Sequence, residues 1–209
     1  ASGDGLVNLF KSMGVDYVVS GGQTMNPSAE DFVKAFDSLN AENILVFPNN
    51  GNIVMAAKQA AKYYDKANVV VVNSKSLAQG YSALTMYDSS MDDVEEIVSE
   101  LEDVISNVTT GEVTYSIRDA NIDGIDIKKG DYIGIVNKRM IASTNDKVET
   151  VKVMLNSTDL SEKEIITISE NGYGKRSSLE DYRLQQRAGK GIKAGVFNEQ
   201  TGKLASLNQ

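Results

Sequence analysis

A chain of 209 residues, 41% hydrophobic and 24% charged, has the balance of a soluble globular protein with one sizeable core and an appendage. It contains no histidine and no cysteine, which excludes Ser-His-Asp and Cys-His catalysis, disulfides and thiolate metal sites. The net charge of -8 is uneven: residues 169–209 hold seven basic and four acidic side chains, a net of +3 against -11 elsewhere, so the body repels a nucleic-acid backbone while the tail can approach one.

No apolar run reaches the roughly 18 residues of a membrane span. The start Ala1-Ser2-Gly3-Asp4 has no basic stretch leading into an apolar core. A cytoplasmic protein without membrane insertion is expected.

The first predicted element is a helix over 6–13, where Leu6, Leu9, Phe10 and Met13 recur at helical spacing and Gly14 stops the run. A strand is expected at 16–20. Ser28 then stands at an N-cap position with Asp31 three residues on, a looser form of capping box, ahead of the stripe Phe32, Ala35, Phe36 and Leu39. A strand at 43–47, a helix over 53–64 and the aliphatic run Val69-Val70-Val71-Val72 follow, and helices over 77–87 and 92–106 close this layer. β-Branched runs separated by helices indicate an α/β fold, a parallel-sheet sandwich with helices on both faces.

Past Gly111 the pattern becomes β-rich. Strands are expected at 113–117, 132–136 and 140–143, with turns at Asn121-Ile122-Asp123-Gly124 and Lys129-Gly130-Asp131. A helix over 148–155 and a strand at 165–168 come next. A tight Asn171-Gly172 turn and further strands through 176, at 191–197 and at 203–207 make a small antiparallel β segment at the end. The expected organisation is a parallel-sheet domain over 1–110, its β-rich continuation over 111–168, and the β segment over 169–209.

Several polar groups are candidates for recognition. In Gly21-Gly22-Gln23-Thr24-Met25-Asn26-Pro27-Ser28, paired glycines let the backbone approach a ligand or partner, and Thr24, Asn26 and Ser28 offer donors at a helix start that favours an anion. The same residues also make a plain turn capped by Ser28. Asn49 and Asn50 fall at the carboxyl edge of the expected parallel sheet, where open α/β folds place their sites, though Asn50-Gly51 is equally a turn. Arg118 and Asp119 follow a strand and suit partner contact, since a guanidinium can fork onto a carboxylate, or a surface ion pair. Gly3-Asp4-Gly5 and the acidic run Asp92-Asp93 with Glu95-Glu96 read as helix starts. No catalytic residue, metal site or cofactor is assigned.

Residues 2–168 resemble the C-terminal region of the large, ATP-binding component of bacterial fatty acid kinase. The resemblance rests on Gly3-Asp4-Gly5-Leu6, the 21–28 run, Pro48-Asn49-Asn50, Gln79-Gly80, Gly111-Glu112-Val113-Thr114-Tyr115, Arg118-Asp119 and Lys128-Lys129-Gly130-Asp131. It implies that ATP and magnesium are held by a separate nucleotide domain, absent here. It also implies that this region docks the fatty-acid-binding carrier protein that presents the acyl carboxylate, with Gly21, Gly22, Gln23, Thr24, Asn26, Ser28, Asn49, Asn50, Arg118 and Asp119 as contact residues. The strand, Pro-Ser, helix arrangement is also similar to the acyl-binding half of DegV-type proteins.

Residues 163–209 resemble one blade of the C-terminal, DNA-wrapping domain of DNA gyrase, on Glu170-Asn171-Gly172-Tyr173-Gly174-Lys175-Arg176, Tyr182-Arg183 and Gly189-Lys190-Gly191. That implies a chimera joined within 164–168, and DNA phosphate contacts by Lys175, Arg176, Arg183, Arg187, Lys190 and Lys193.

Overall fold

The computed structural model describes residues 3–21 and 26–158, together with the backbone of three later strands. The described residues form two compact units, 3–108 in the first and 109–158 with the later strands in the second.

The first unit begins with α1 (Asp4–Ser12), which buries Phe10. Gly14, at φ 91, and a bond from the Val15 N–H to the Phe10 carbonyl (3.2 Å) turn the chain off this helix. The following stretch, 16–20, is not a strand. Its Val19 packs into the core instead, while Tyr17 stays half exposed, so burial of one aliphatic side chain replaces the expected ladder.

Helix α2 (Ala29–Asp37) starts at a complete capping box. The Ser28 hydroxyl accepts from the Asp31 N–H, and the Asp31 carboxylate accepts from the Ser28 N–H at 2.9 Å.

Strands β1 (Asn43–Val46) and β2 (Asn68–Val71) pair in parallel, Asn43 opposite Asn68, across α3 (Val54–Tyr63). Alternation along β1 sends its side chains to two cores. Ile44 and Val46 pack with Phe32 and Phe36 of α2 and Ala57 and Ala60 of α3. Leu45 and Phe47 meet Ala83 of α4 (Leu77–Met86) and Ile97, Leu101 and Ile105 of α5 (Val94–Ser106). Each fully buried phenylalanine or isoleucine contributes about 1.5–3 kcal/mol. The strand pair is therefore covered by helices on both faces, and its parallel ladder holds two strands among the described residues.

Asp37 fastens α2 to the end of α3. It accepts from the Lys66 ammonium at 2.6 Å and the Tyr64 hydroxyl at 3.3 Å, and Lys66 holds its carboxyl below the usual range.

The second unit opens with β3 (Gly111–Tyr115) and a hairpin of β4 (Ala120–Ile122) and β5 (Ile125–Ile127). Asp123 and Gly124 at φ 54 and 81 have the left-handed backbone of a two-residue hairpin turn. The expected turn at 121–124 is thus narrower: Asn121 and Ile122 belong to a strand, and the Asn121 amide donates to Asp126 across the pair at 2.6 Å.

Strands β6 (Tyr132–Val136) and β7 (Arg139–Thr144) complete an antiparallel sheet of order β3-β6-β7. Helix α6 (Lys147–Asn156) packs on it at Gly134, where a Cβ would stand 2.6 Å from Met154. Its fully buried Thr150 bonds to Thr144 at 2.8 Å.

The later strands β8 (Glu164–Ser169), β9 (Gly174–Ser178) and β10 (Leu204–Asn208) form an antiparallel sheet of order β10-β8-β9. The expected Asn171-Gly172 turn and strand 191–197 lie outside the described residues. The fold is α/β, with antiparallel sheets after the helical layer.

Candidate functional site

Two loops converge at the carboxyl end of the parallel pair. After β1 the chain runs Phe47-Pro48-Asn49-Asn50, and after β2 it runs Asn73-Ser74-Lys75-Ser76 into α4, the edge where adjacent strands of open α/β folds deliver their loops.

The Asn49 N–H donates to the Ser74 hydroxyl at 3.2 Å, and Ser74 is wholly buried. Asn49 has φ 56, a left-handed backbone that asparagine tolerates better than most residues. Its amide lies against Gly80, where a Cβ would come 1.9 Å from Asn49 Oδ1. The start of α4 is tied by the Ser76 hydroxyl accepting from the Gln79 N–H (3.2 Å) and Gln79 Oε1 accepting from the Lys75 N–H (2.7 Å).

Asn49 Oδ1 is buried and accepts no hydrogen bond from the described residues. A buried carbonyl without a donor costs about 1–3 kcal/mol, so this oxygen favours an arriving donor.

Beside Asn49 lies a cavity of about 120 Å³, lined by Phe10, Phe32, Phe36 and Val46 and also by Gly21 and Asn49. No charged side chain lines it among the described residues. A dry apolar cavity of about 150 Å³ accommodates benzene, so the described part of this one suits a small apolar group.

The structure thus brings Gly21 and Asn49 together at one cavity. Gly22, Gln23 and Thr24 lie outside the described residues. Asn26 is exposed. Ser28 is committed to the α2 cap, its hydroxyl 2.9 Å from the Asp31 carboxylate. Asn50 is a turn residue whose Oδ1 accepts from the Asn52 N–H at 2.9 Å.

Arg118 and Asp119 belong to the second unit. Their side chains are exposed and make no ion pair among the described residues. Asp119 accepts from the Lys129 N–H at 2.7 Å, and the Arg118 backbone bonds with Ser116. The carboxylate therefore closes a loop while the guanidinium is free to meet a partner.

Of the six basic tail candidates, Lys175 and Arg176 fall on β9, whose backbone alone is described. Arg183, Arg187, Lys190 and Lys193 lie outside the described residues.

Ser74 and Gly80 complete the site without having been expected as site residues. The signal for Ser74 was its place just past the second aliphatic run, symmetric with Asn49. Gly80 carries no side-chain chemistry, and only the approach of Asn49 reveals its role.

No group of three or more His, Cys, Asp or Glu is placed to hold a metal ion among the described residues. No described helix is long and apolar enough to cross a membrane.

Residues 1–189 match the family of C-terminal domains described as fatty acid kinase A-subunit-like. Proteins described as uncharacterized from Staphylococcus aureus strains USA300, NCTC 8325 / PS 47 and bovine RF122 / ET3-1 are each 42% identical to this chain over 166 residues. The matched stretch is 79% of this chain and 30% of each relative, so the chain spans less than a third of their length.

The family match crosses the strand at 164–168 and continues to residue 189. It gives no support to the expectation of a chimera joined within 164–168. The gyrase-like resemblance is not supported, and Lys175, Arg176, Arg183 and Arg187 fall within the fatty acid kinase family match instead.

Proposed function

The chain belongs to the fatty acid kinase A-subunit-like family of C-terminal domains, and from that premise we propose that it is a partner-docking domain of a fatty acid kinase complex. It binds the fatty-acid-binding carrier protein that presents an acyl carboxylate for phosphorylation. ATP and magnesium are held elsewhere in the complex.

The observation that carries this reading is the tied pair of loops at the carboxyl end of β1 and β2. Asn49, Ser74 and Gly80 lock the two loops into a pre-shaped edge beside a cavity of about 120 Å³. Loops held rigid in this way suit recognition of a protein surface. The absence of histidine and cysteine from the sequence removes the commonest neutral-pH proton shuttle and thiolate nucleophile.

The test is retention of purified, fatty-acid-loaded carrier protein by the immobilised 209-residue chain. Saturable retention is expected. A carrier that passes through unretained at low salt contradicts the docking role.

A further inference from the structure

We propose that Asn50 is a site of self-modification: the Gly51 backbone nitrogen attacks its side-chain amide, and the loop after β1 gains a carboxylate without the help of any enzyme or docking partner.

Asn50 and Gly51 follow β1 in the loop at the carboxyl end of the parallel pair, both partly exposed, ahead of the fully exposed Asn52. Asparagine is among the thermolabile residues. Before a glycine it is most vulnerable, because no β-carbon on the attacking residue obstructs closure of a ring on the amide.

In this loop the backbone activates both carbonyls of that ring. Asn50 Oδ1 accepts from the Asn52 N–H at 2.9 Å, which folds the side chain back over the Gly51 peptide and polarises Cγ toward attack. The Asn50 backbone carbonyl accepts from the Ile53 N–H at 3.0 Å. That bond withdraws electron density from the Gly51 nitrogen and eases loss of its proton. The Gly51 N–H itself donates to no acceptor among the described residues, so no hydrogen bond has to break before it reacts.

Solvent hydroxide removes the Gly51 amide proton, and the nitrogen's electron pair forms a bond to Asn50 Cγ. The Cγ–Nδ2 bond breaks, and Nδ2 takes up a proton and leaves as ammonia. Water then opens the resulting succinimide at either carbonyl. Addition at Cγ gives aspartate, and addition at the main-chain carbonyl gives isoaspartate. Asparagine and water thus become an acidic residue and ammonia, with nothing oxidised or reduced.

Other asparagines of the described loops lack this combination. Asn49 is followed by Asn50, Asn52 by Ile53 and Asn137 by Lys138, each with a side chain on the attacking residue. Asn171-Gly172 repeats the dipeptide but lies outside the described residues. Conversion at residue 50 sets a carboxylate beside Asn49, whose N–H ties this loop to Ser74. Isoaspartate also lengthens the main chain by a carbon between that tie and α3.

The experiment incubates the folded 209-residue chain at physiological temperature in mildly alkaline buffer, beside the same chain unfolded in guanidinium. Peptide mapping by mass spectrometry reads residue 50 apart from residue 171 and separates aspartate from isoaspartate. In the folded chain residue 50 is expected to convert to a mixture of the two, at least as fast as in the unfolded chain. Gly51→Ala, checked for folding by circular dichroism, should slow the conversion by about tenfold or more.

Residue 50 that converts more slowly in the folded chain than in the unfolded one, or not at all, overturns the proposal, since the turn then protects the amide. Aspartate formed without isoaspartate marks direct hydrolysis by water and overturns it as well. Conversion as fast in folded Gly51→Ala as in wild type removes the Gly51 nitrogen as the attacking group and has the same consequence.

Discussion

Asn49 shows how one residue serves two purposes at the candidate site. Its backbone N–H cross-links the two loops through Ser74, while its amide occupies the space that any β-carbon at position 80 would need. Gly80 sits inside α4, where alanine is normally favoured over glycine by about 1 kcal/mol.

In wild type, Gly80→Ala forfeits that gain because the Asn49 amide must move aside. In an Asn49→Gly background, which keeps the left-handed backbone accessible, the same substitution is expected to stabilise the protein by about 1 kcal/mol. Urea unfolding of the four members of this cycle measures the coupling, and an identical effect of Gly80→Ala in both backgrounds contradicts the contact. The sequence marked Asn49 by its place after an apolar run and could not mark Gly80, since a glycine in a helix signals nothing until its neighbour across space is known.

At the scale of elements, α2 was legible almost to the residue because its start is chemical: a hydroxyl and a carboxylate three positions apart satisfy N–H groups that the helix leaves open. Donation from the Ser28 backbone N–H, and then from its hydroxyl, holds the Asp31 carboxyl below its ordinary value of 3.8. The charged form is the one stabilised. Its contribution is therefore complete above that ordinary value and disappears as pH falls through the lowered one. Ser28→Ala keeps the backbone donor and removes the hydroxyl, so Asp31 should titrate at higher pH than in wild type, as followed by carboxyl carbon NMR. An unchanged midpoint shows that the Ser28 hydroxyl does not donate to the Asp31 carboxylate in solution.

The segment 16–20 and the β4–β5 hairpin were misread for the opposite reason. A short aliphatic run becomes a strand only when another strand lies beside it, and Val19 has the first core beside it instead. The three-residue strands around Asp123-Gly124 are shorter than any periodicity can register.

On the scale of the whole molecule, each unit has its own packing. The first is two hydrophobic clusters on either side of a parallel pair, and the second includes a helix seated on an antiparallel sheet. Strand β8 is flanked on both sides, by β9 and by β10, yet the family match ends at residue 189, before β10. A chain ended at residue 189 removes one of the two hydrogen-bonded neighbours of β8. Its thermal midpoint is expected to fall by about 2–4 °C for each kcal/mol lost, while carrier binding through the first unit persists. A midpoint equal to that of the full chain shows that β10 adds nothing to stability. Loss of carrier binding in the shortened chain places the docking surface, at least in part, beyond the first unit.

By itself the sequence determined the class of fold, most helix positions and the exclusion of histidine and cysteine chemistry, because these follow from composition, caps and periodicities within a few residues, while the likeness to fatty acid kinase rested on separate short motifs in a fixed order. Tertiary structure alone decided that Gly21 and Asn49 share a cavity, that Gly80 exists to admit an amide, that α3 and α5 cover opposite faces of the strand pair, and that β10 pairs beside β8. Each of these is a meeting of residues distant in the chain. Such meetings depend on which surfaces find complementary surfaces to cover them, a matter that local pattern does not encode.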